Sequence, residues 1–138
     1  MRKGLVMSRV QLALNVTDAD AAAEYYGKLF NAEPAKRRDG YVNFAIEDPP
    51  LKLVLIENTT GGSINHLGVE VNSTDAVMAA DRRLTGEGLD TMVEEEVACC
   101  YAVQDKTWSK DPDGVDWEIY TVLADSETMS ESGATACC

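Results

Sequence analysis

An internal duplication constrains the fold of this chain more than any other feature. Residues 11–16 align with residues 66–71 at an offset of 55, and Asp20-Ala21 then falls on Asp75-Ala76. Each copy begins with an alternating strand pattern, continues with an amphipathic helix and ends with three short strand patterns. We therefore predict one α+β domain over residues 7–125, built from two tandem βαβββ modules at about 9–58 and 64–124.

Hydrophobic periodicity and turn-forming residues set the expected boundaries. In the first copy they predict a helix over 19–31 and strands at 10–16, 33–38, 41–46 and 51–57. In the second copy they predict a helix over 74–85 and strands at 66–71, 91–97, 101–108 and 115–123. Residues 126–138 are polar and aperiodic, which predicts a disordered tail.

The two copies differ in length between the helix and the last strand. There, residues 48–53 align with residues 113–118, so the offset has grown to 65 and the second copy carries about ten extra residues. This interval contains the acidic run Glu94–Glu96 and the adjacent cysteines Cys99-Cys100. The insertion and the two thiols therefore coincide.

Charge and cysteine usage exclude several classes of function. The formal net charge is −12, whereas binding to nucleic acid or to an anionic membrane requires a basic surface. No window reads as a signal peptide or a membrane span. The four cysteines form two adjacent pairs rather than a spaced disulfide framework, so we expect a cytoplasmic protein.

Three polar residues form a candidate metal site. Gln11 and His66 occupy equivalent positions in the two copies, and Glu118 lies on the last strand. If the modules face each other across a cleft, their mixed oxygen and nitrogen donors suit Fe(II), Mn, Ni or Zn. The duplication places the fourth position at about Leu53, which cannot ligate a metal, so the site is expected to have three ligands and to stay open. The alternative is that His66 is an ordinary structural histidine.

The adjacent cysteines form a second candidate site. Soft thiolates prefer soft metals and metalloids, so Cys99 and Cys100 could hold one thiophilic atom between them. Neighbours on a regular strand point to opposite faces, so such a chelate requires a bend in the chain. The alternative is a chance pair with one buried and one exposed thiol. The tail pair Cys137-Cys138 could hand over the same ligand or be inert.

These features resemble the vicinal oxygen chelate superfamily, which includes glyoxalases, extradiol dioxygenases and antibiotic-resistance proteins. The resemblance covers residues 9–124 and rests on the duplicated plan, the three candidate ligands and the Asp113-Gly114 turn. More narrowly, residues 11–16, 41–46, 50–55, 65–70 and 99–106 resemble bacterial carbon–arsenic lyases and the cadmium-induced proteins of the same subgroup. The stretch from Cys99 to Lys106 is the most specific of these.

The resemblance implies the vicinal oxygen chelate fold and a non-haem Fe(II) dioxygenase. Gln11, His66 and Glu118 would hold Fe(II), with O₂ as co-substrate. Cys99 and Cys100 would bind a trivalent organoarsenical such as methylarsenite or a reduced aromatic arsenical, and cleavage of its carbon–arsenic bond would release arsenite. Tyr101, Gln104 and Lys106 lie near enough in sequence to line the substrate site. Many superfamily members pair, so a monomer and a homodimer both stay open.

Two other functions compete with this hypothesis. In the first, the protein is a non-catalytic binder of cadmium or arsenite, and the thiols alone matter. In the second, it is a glyoxalase-type isomerase, which the missing fourth ligand and the dithiol disfavour.

Overall fold

The computed structural model describes residues 8–130 of the 138-residue chain and shows two helices and eight strands within that range. The elements of the first repeat are β1 (Arg9–Val16), α1 (Ala19–Phe30), β2 (Lys36–Arg38), β3 (Tyr41–Glu47) and β4 (Pro50–Glu57). Those of the second are β5 (Ser63–Glu70), α2 (Thr74–Gly86), β6 (Met92–Cys99), β7 (Ala102–Lys110) and β8 (Asp116–Asp125). The predicted α+β fold with two βαβββ modules is confirmed.

The chain divides into two compact units. The first unit is Val10–Leu67, and the described part of the second unit is residues 8–9 and 68–130, so the boundary lies inside β5. In the first repeat the strands lie in the order β2-β3-β4-β1, with β1 parallel to β4. In the second repeat the order is β6-β7-β8-β5, which is the same arrangement. The duplication in the sequence is thus a duplication of topology.

Both helices begin where the sequence places their caps. The Asp18 side chain accepts a hydrogen bond from the backbone N–H of Ala21, and the Ser73 side chain accepts one from Ala76. The first helix ends at Asn31, which adopts a left-handed conformation with φ 52°. Among the described residues, neither helix is long and apolar enough to cross a membrane.

The core of the first unit lies between α1 and one face of its strands. It contains Ala19 and Ala23 of the helix and apolar residues of β3 and β4, namely Val42, Phe44, Ile46, Leu51, Leu53 and Leu55. Burial of these side chains stabilises the unit by roughly 1.5–3 kcal/mol for each large residue. The opposite face carries Gln11, which pairs with Lys52 across β1 and β4.

The ten extra residues of the second repeat fall in three places. Strand β6 has eight residues against three in β2, and β7 has nine against seven in β3. The loop between β7 and β8 has five residues, whereas the loop between β3 and β4 has two. The cysteines therefore lie at the end of an extended β6–β7 hairpin rather than in a separate inserted loop.

The predicted equivalence of Leu53 and Glu118 is wrong by one residue. The last paired residues of the two final hairpins are Glu47 with Pro50 and Lys110 with Asp116. Two positions further along, Lys52 corresponds to Glu118, whereas Leu53 belongs to the apolar core. The error arose because the loop before β8 is longer than the loop before β4. An ammonium group at Lys52 does not ligate a metal either, so the expectation of three ligands is unchanged.

Candidate functional site

Gln11 and His66 meet in the first unit. The Nε2 atoms of the two side chains lie 3.3 Å apart, and both residues are buried, His66 completely. They extend from β1 and β5, the first strands of the two repeats, at the equivalent positions that the sequence predicted. The structure therefore confirms that these two predicted residues lie together.

Neighbouring asparagines orient the His66 ring. Nδ2 of Asn65 donates to Oδ1 of Asn15 at 2.9 Å, so Oδ1 of Asn65 is the atom that faces His66 Nδ1 at 2.7 Å. A carboxamide oxygen accepts only, so Nδ1 carries the ring proton and Nε2 presents its lone pair toward Gln11. This is the tautomer that a metal-binding histidine requires. A rotation of the Gln11 amide would turn its oxygen to the same point.

Glu118 lies in the second unit, in a buried ion pair. It is 2% exposed, and its Oε1 accepts a hydrogen bond from Lys106 Nζ at 2.6 Å. The Lys106 ammonium also lies over the rings of Trp108 and Tyr120, 5.1 and 5.8 Å from their centroids. A buried carboxylate is costly without a cation, and Lys106 supplies one. The structure thus places Lys106, predicted to contact substrate, against the predicted metal ligand.

The donor chemistry of these residues fits a divalent metal. One imidazole nitrogen, one amide oxygen and one carboxylate oxygen form a mixed set of the kind that non-haem iron, manganese or zinc accepts. Within residues 8–130 no group of three or more His, Cys, Asp or Glu side chains could hold a metal ion. Any site built from the predicted ligands therefore depends on the amide of Gln11.

The cysteines lie where the chain reverses direction. Cys99 ends β6 and pairs with Ala102, and the two residues between them, Cys100 and Tyr101, have φ values of 55° and 61°. Two positive φ angles in a two-residue loop define a type I′ turn. Tyr101 was predicted to begin a strand and instead lies in this turn. The bend that a chelate by both cysteines requires is therefore present at Cys100.

Both cysteines are oxidised in the structure. Cys99 and Cys100 each take part in a disulfide, and the described part of the chain has no free cysteine. Cys99 is completely buried, whereas Cys100 is partly exposed. The free thiols expected from the sequence would arise only after reduction.

One face of the second unit carries both Cys99 and Glu118. The pairs Cys99 with Ala102, Glu94 with Lys106 and Trp108 with Glu118 place their side chains on that face, because paired residues on neighbouring strands point the same way. Ala102 and Trp108 are six residues apart on β7, which corresponds to about 20 Å of extended strand. Cys99 and the carboxylate thus lie on the same face of the sheet.

Two side chains of β7 hold the hairpin in shape: Asp105, which the sequence did not identify as functional, and Gln104, which it placed near the substrate site. Asp105, on the opposite face, accepts hydrogen bonds from the Thr74 hydroxyl at 2.6 Å and from the backbone N–H of Glu96 at 2.7 Å. Glu96 has a φ of 49° and lies in a β-bulge of β6. Gln104 donates from Nε2 to the carbonyl of Cys99 at 2.7 Å. The signal in the sequence is that both residues lie in the stretch from Cys99 to Lys106, which carries the most specific resemblance.

The first residues of the predicted tail lie along the turn. The backbone N–H of Cys100 donates to Met129 O at 2.6 Å, and that of Ser126 donates to Tyr101 O at 3.0 Å. A single antiparallel bridge joins Cys99 to Ser130. The rest of the predicted tail, residues 131–138 with Cys137 and Cys138, lies outside the described residues.

Comparison with known proteins identifies relatives along almost the whole chain. Residues 8–119 match the family described as Glyoxalase/Bleomycin resistance protein/Dioxygenase superfamily. The chain is 58% identical over 142 residues to the cadmium-induced protein CadI of Mycobacterium tuberculosis (strain ATCC 25618 / H37Rv), covering 96% of this chain and 93% of that protein. It is 52% identical over 134 residues to a trivalent organoarsenical cleaving enzyme of Thermomonospora curvata, covering 96% and 89%.

A solved structure supports the fold. The chain superimposes on the Mn(II)-bound glyoxalase from Novosphingobium aromaticivorans with a TM-score of 0.60 at 18% sequence identity, covering 94% of this chain and 44% of that one. At this level of identity the likeness concerns the fold alone.

Proposed function

Because this chain belongs to the Glyoxalase/Bleomycin resistance protein/Dioxygenase superfamily, we propose that it is a non-haem Fe(II)-dependent dioxygenase that cleaves the carbon–arsenic bond of trivalent organoarsenicals. The observation that carries the proposal is the turn at Cys99 and Cys100, on the same face of the second unit as Glu118. The 52% identity to a trivalent organoarsenical cleaving enzyme supports the assignment of the substrate class.

Binding of the substrate begins with the two thiols. Each thiol of Cys99 and Cys100 exchanges for one hydroxyl of the arsenical R–As(OH)₂, two As–S bonds form, and the thiol protons leave with the hydroxyls as two waters. Arsenic stays trivalent in this step. The cysteines must first be reduced, since both are in disulfides in the structure. The reducing cytoplasm that we expect for this protein would supply those conditions.

We propose Gln11, His66 and Glu118 as the metal ligands. When bound, Fe(II) would supply the redox chemistry with O₂. Lys106 balances the charge of Glu118 and positions its carboxylate through the 2.6 Å hydrogen bond. Tyr101 occupies the second position of the turn, directly after Cys100, and so helps to set the direction of the Cys100 side chain.

The overall reaction balances for the simplest substrate. Methylarsenite plus one O₂ gives one formaldehyde and one arsenite. The carbon–arsenic bond breaks, the carbon loses four electrons, and O₂ accepts them. Cys99 and Glu118 are separated by about 20 Å of chain when the path is counted along strand β7.

Two variants test this division of labour. Cys99→Ser should lose the arsenical and keep iron, because serine removes one of the two soft ligands. Glu118→Gln should keep the arsenical and lose iron, because an amide is a weaker ligand than a carboxylate and circular dichroism can establish that the fold persists. Iron content and arsenic content are measured on the same samples. Loss of both from either variant would contradict two separate sites.

A second candidate function is favoured by the 58% identity to a cadmium-induced protein. In this alternative the protein binds cadmium or arsenite through its thiols without catalysis. It predicts tight binding of Cd²⁺ to the reduced protein that survives replacement of His66, and no consumption of O₂ with methylarsenite. An iron-loaded sample that consumes O₂ would exclude it.

A further inference from the structure

Gln104 has an acceptor atom that nothing in the described structure uses. The residue is 5% exposed, and its Nε2 donates to the carbonyl oxygen of Cys99 at 2.7 Å. Its Oε1 is buried and has no hydrogen-bond partner within residues 8–130. Buried polar atoms are nearly always paired in native proteins, so this atom requires an explanation.

The orientation of the Gln104 amide is determined by its neighbour. The Cys99 carbonyl can only accept a hydrogen bond, so the amide nitrogen must face it and the amide oxygen must point away. Turning the amide over would bring two acceptors together and leave the nitrogen without its partner. The unused atom is therefore an acceptor, and it can be satisfied only by a group that donates.

Gln104 lies beside the dithiol. The pairs Val97 with Gln104 and Cys99 with Ala102 place Gln104 and Cys99 on the same face of the hairpin. Because the amide nitrogen is 2.7 Å from the Cys99 carbonyl, the amide oxygen lies within about 5 Å of it. Along β7, Gln104 lies between Ala102 and Lys106, on the route from the thiols toward Glu118.

When an arsenical is bound to the two cysteines, only the substrate or water can donate a hydrogen bond to Gln104 Oε1. Reduced cysteines have S–H groups that can donate to Gln104 Oε1. Once an arsenical has bound, both thiol protons have left as water, and the cysteines have no donor to offer. An organic group on arsenic that reaches this oxygen displaces water from it, so the oxygen stays paired only if that group itself carries a donor.

We propose that Gln104 determines substrate specificity by accepting a hydrogen bond from an N–H or O–H group on the organic substituent of the bound arsenical. This rests on the proposed function and names the preferred substrate class: trivalent aromatic arsenicals with an amino or hydroxyl substituent, in preference to unsubstituted ones. A site built around a polar group discriminates against the analogue that lacks the matching donor.

The test is a binding comparison on reduced, metal-free, full-length protein under anaerobic conditions. The ligands are phenylarsenite and its 2-amino and 4-amino derivatives, and binding is followed by tryptophan fluorescence. At least one amino derivative should bind about tenfold more tightly than phenylarsenite, the factor expected for one additional satisfied hydrogen bond.

Two variants of Gln104 and one control test whether the preference for the amino derivative arises at this residue. Gln104→Met keeps the volume of the side chain and removes the acceptor, so the preference for the amino derivative should fall to within about twofold. Gln104→Asn is a second variant that keeps an amide on a shorter side chain, and it should reduce the preference. Thr107→Val is the matched control on the opposite face of β7, where the threonine hydroxyl donates to Asp81, and the preference should survive there.

The outcomes separate the two proposals. If the wild-type protein binds all three ligands equally, or if the preference persists in Gln104→Met, the role of Gln104 is overturned while arsenical binding stands. If the wild-type protein binds none of the three, the proposed function itself fails. Equal binding of the three ligands by the wild-type protein overturns the role of Gln104 whether or not a variant folds.

Discussion

The two repeats share a topology and differ in what they place on equivalent positions of their last hairpins. Counted from the hairpin ends, Lys52 of β4 corresponds to Glu118 of β8, and Asn43 of β3 corresponds to Lys106 of β7. In the first repeat Asn43 is neutral and donates to the Tyr41 hydroxyl at 3.0 Å. In the second, the same positions hold a buried ion pair. The fold tolerates either arrangement, so the ion pair is a feature of the second site and not a requirement of the architecture.

The turn between the second and third strands also differs between the two repeats. In both repeats a two-residue turn joins the second and third strands, Asp39-Gly40 in the first and Cys100-Tyr101 in the second. Gly40 adopts φ 69° at little cost, whereas Tyr101 adopts φ 61° against its own preference. Strain of this kind is kept at sites where the residues serve a function. If so, residues of the second repeat that serve the site should lower the stability of the fold, and variants at equivalent positions of the two repeats should differ in their free energy of unfolding.

The largest effect is expected at the buried ion pair. Lys106→Met leaves Glu118 buried without its cation and should lower the free energy of unfolding of the metal-free protein by about 3–5 kcal/mol. Asn43→Leu, at the equivalent position, should cost only about 1 kcal/mol. Urea denaturation measures both. The double variant Lys106→Met/Glu118→Leu should recover most of the loss, and a failure to recover would mean that Lys106 matters through its packing alone.

The next largest effect is expected on β4, where Leu53 faces the core and Lys52 faces the other side of the sheet. Leu53→Ala should lower the free energy of unfolding by about 2–5 kcal/mol, because Leu53 is 1% exposed within the core of the first unit. Lys52→Ala, one residue away on the other face, should cost less than about 1 kcal/mol. The same denaturation measurement applies. A larger loss of unfolding free energy in Lys52→Ala than in Leu53→Ala would contradict the corrected register and favour the alignment of Leu53 with Glu118.

The long β6–β7 hairpin is held in shape by hydrogen bonds to the Asp105 side chain, which the first repeat lacks. Asp105→Ala removes the acceptor for the Glu96 N–H and the Thr74 hydroxyl and should cost about 1–3 kcal/mol. Hydrogen exchange should show the loss of protection concentrated in β6. Uniform loss of protection in both repeats would indicate that Asp105 supports the whole fold and not the bulge.

The smallest effect is expected in the turns, where its sign should differ between the repeats. Tyr101→Asn should raise the free energy of unfolding by about 0.5–1 kcal/mol, because asparagine tolerates positive φ. Gly40→Ala, at the same turn position in the first repeat, should lower it by about 1 kcal/mol. Thermal denaturation reports both shifts. Destabilisation by Tyr101→Asn would show that contacts of the tyrosine side chain outweigh the backbone strain.

The sequence predicted the architecture because duplication and helix caps are encoded locally. Asp18 and Ser73 cap the helices at the predicted positions, and Gln11 and His66 meet because the strands that carry them are equivalent. These features depend on periodicity and on alignment within the chain, both of which a single sequence contains.

The details of the site could not be predicted in the same way. The alignment of Leu53 with Glu118 failed because loop length, unlike strand periodicity, is not fixed by pattern. Tyr101 was assigned to a strand because tyrosine favours strands, and tertiary structure overrode that preference. The pairing of Lys106 with Glu118 and the unused oxygen of Gln104 depend on side-chain directions, which become known only with coordinates.

Product analysis tests whether the second repeat presents an arsenical to O₂-dependent chemistry at Glu118, as we propose. Reduced, Fe(II)-loaded protein is mixed with methylarsenite, with and without O₂, and arsenite and formaldehyde are quantified. We expect the two products in a one-to-one ratio with O₂ present and neither product in its absence. Bound methylarsenite that stays intact in air, on protein shown to contain iron, would contradict the proposal.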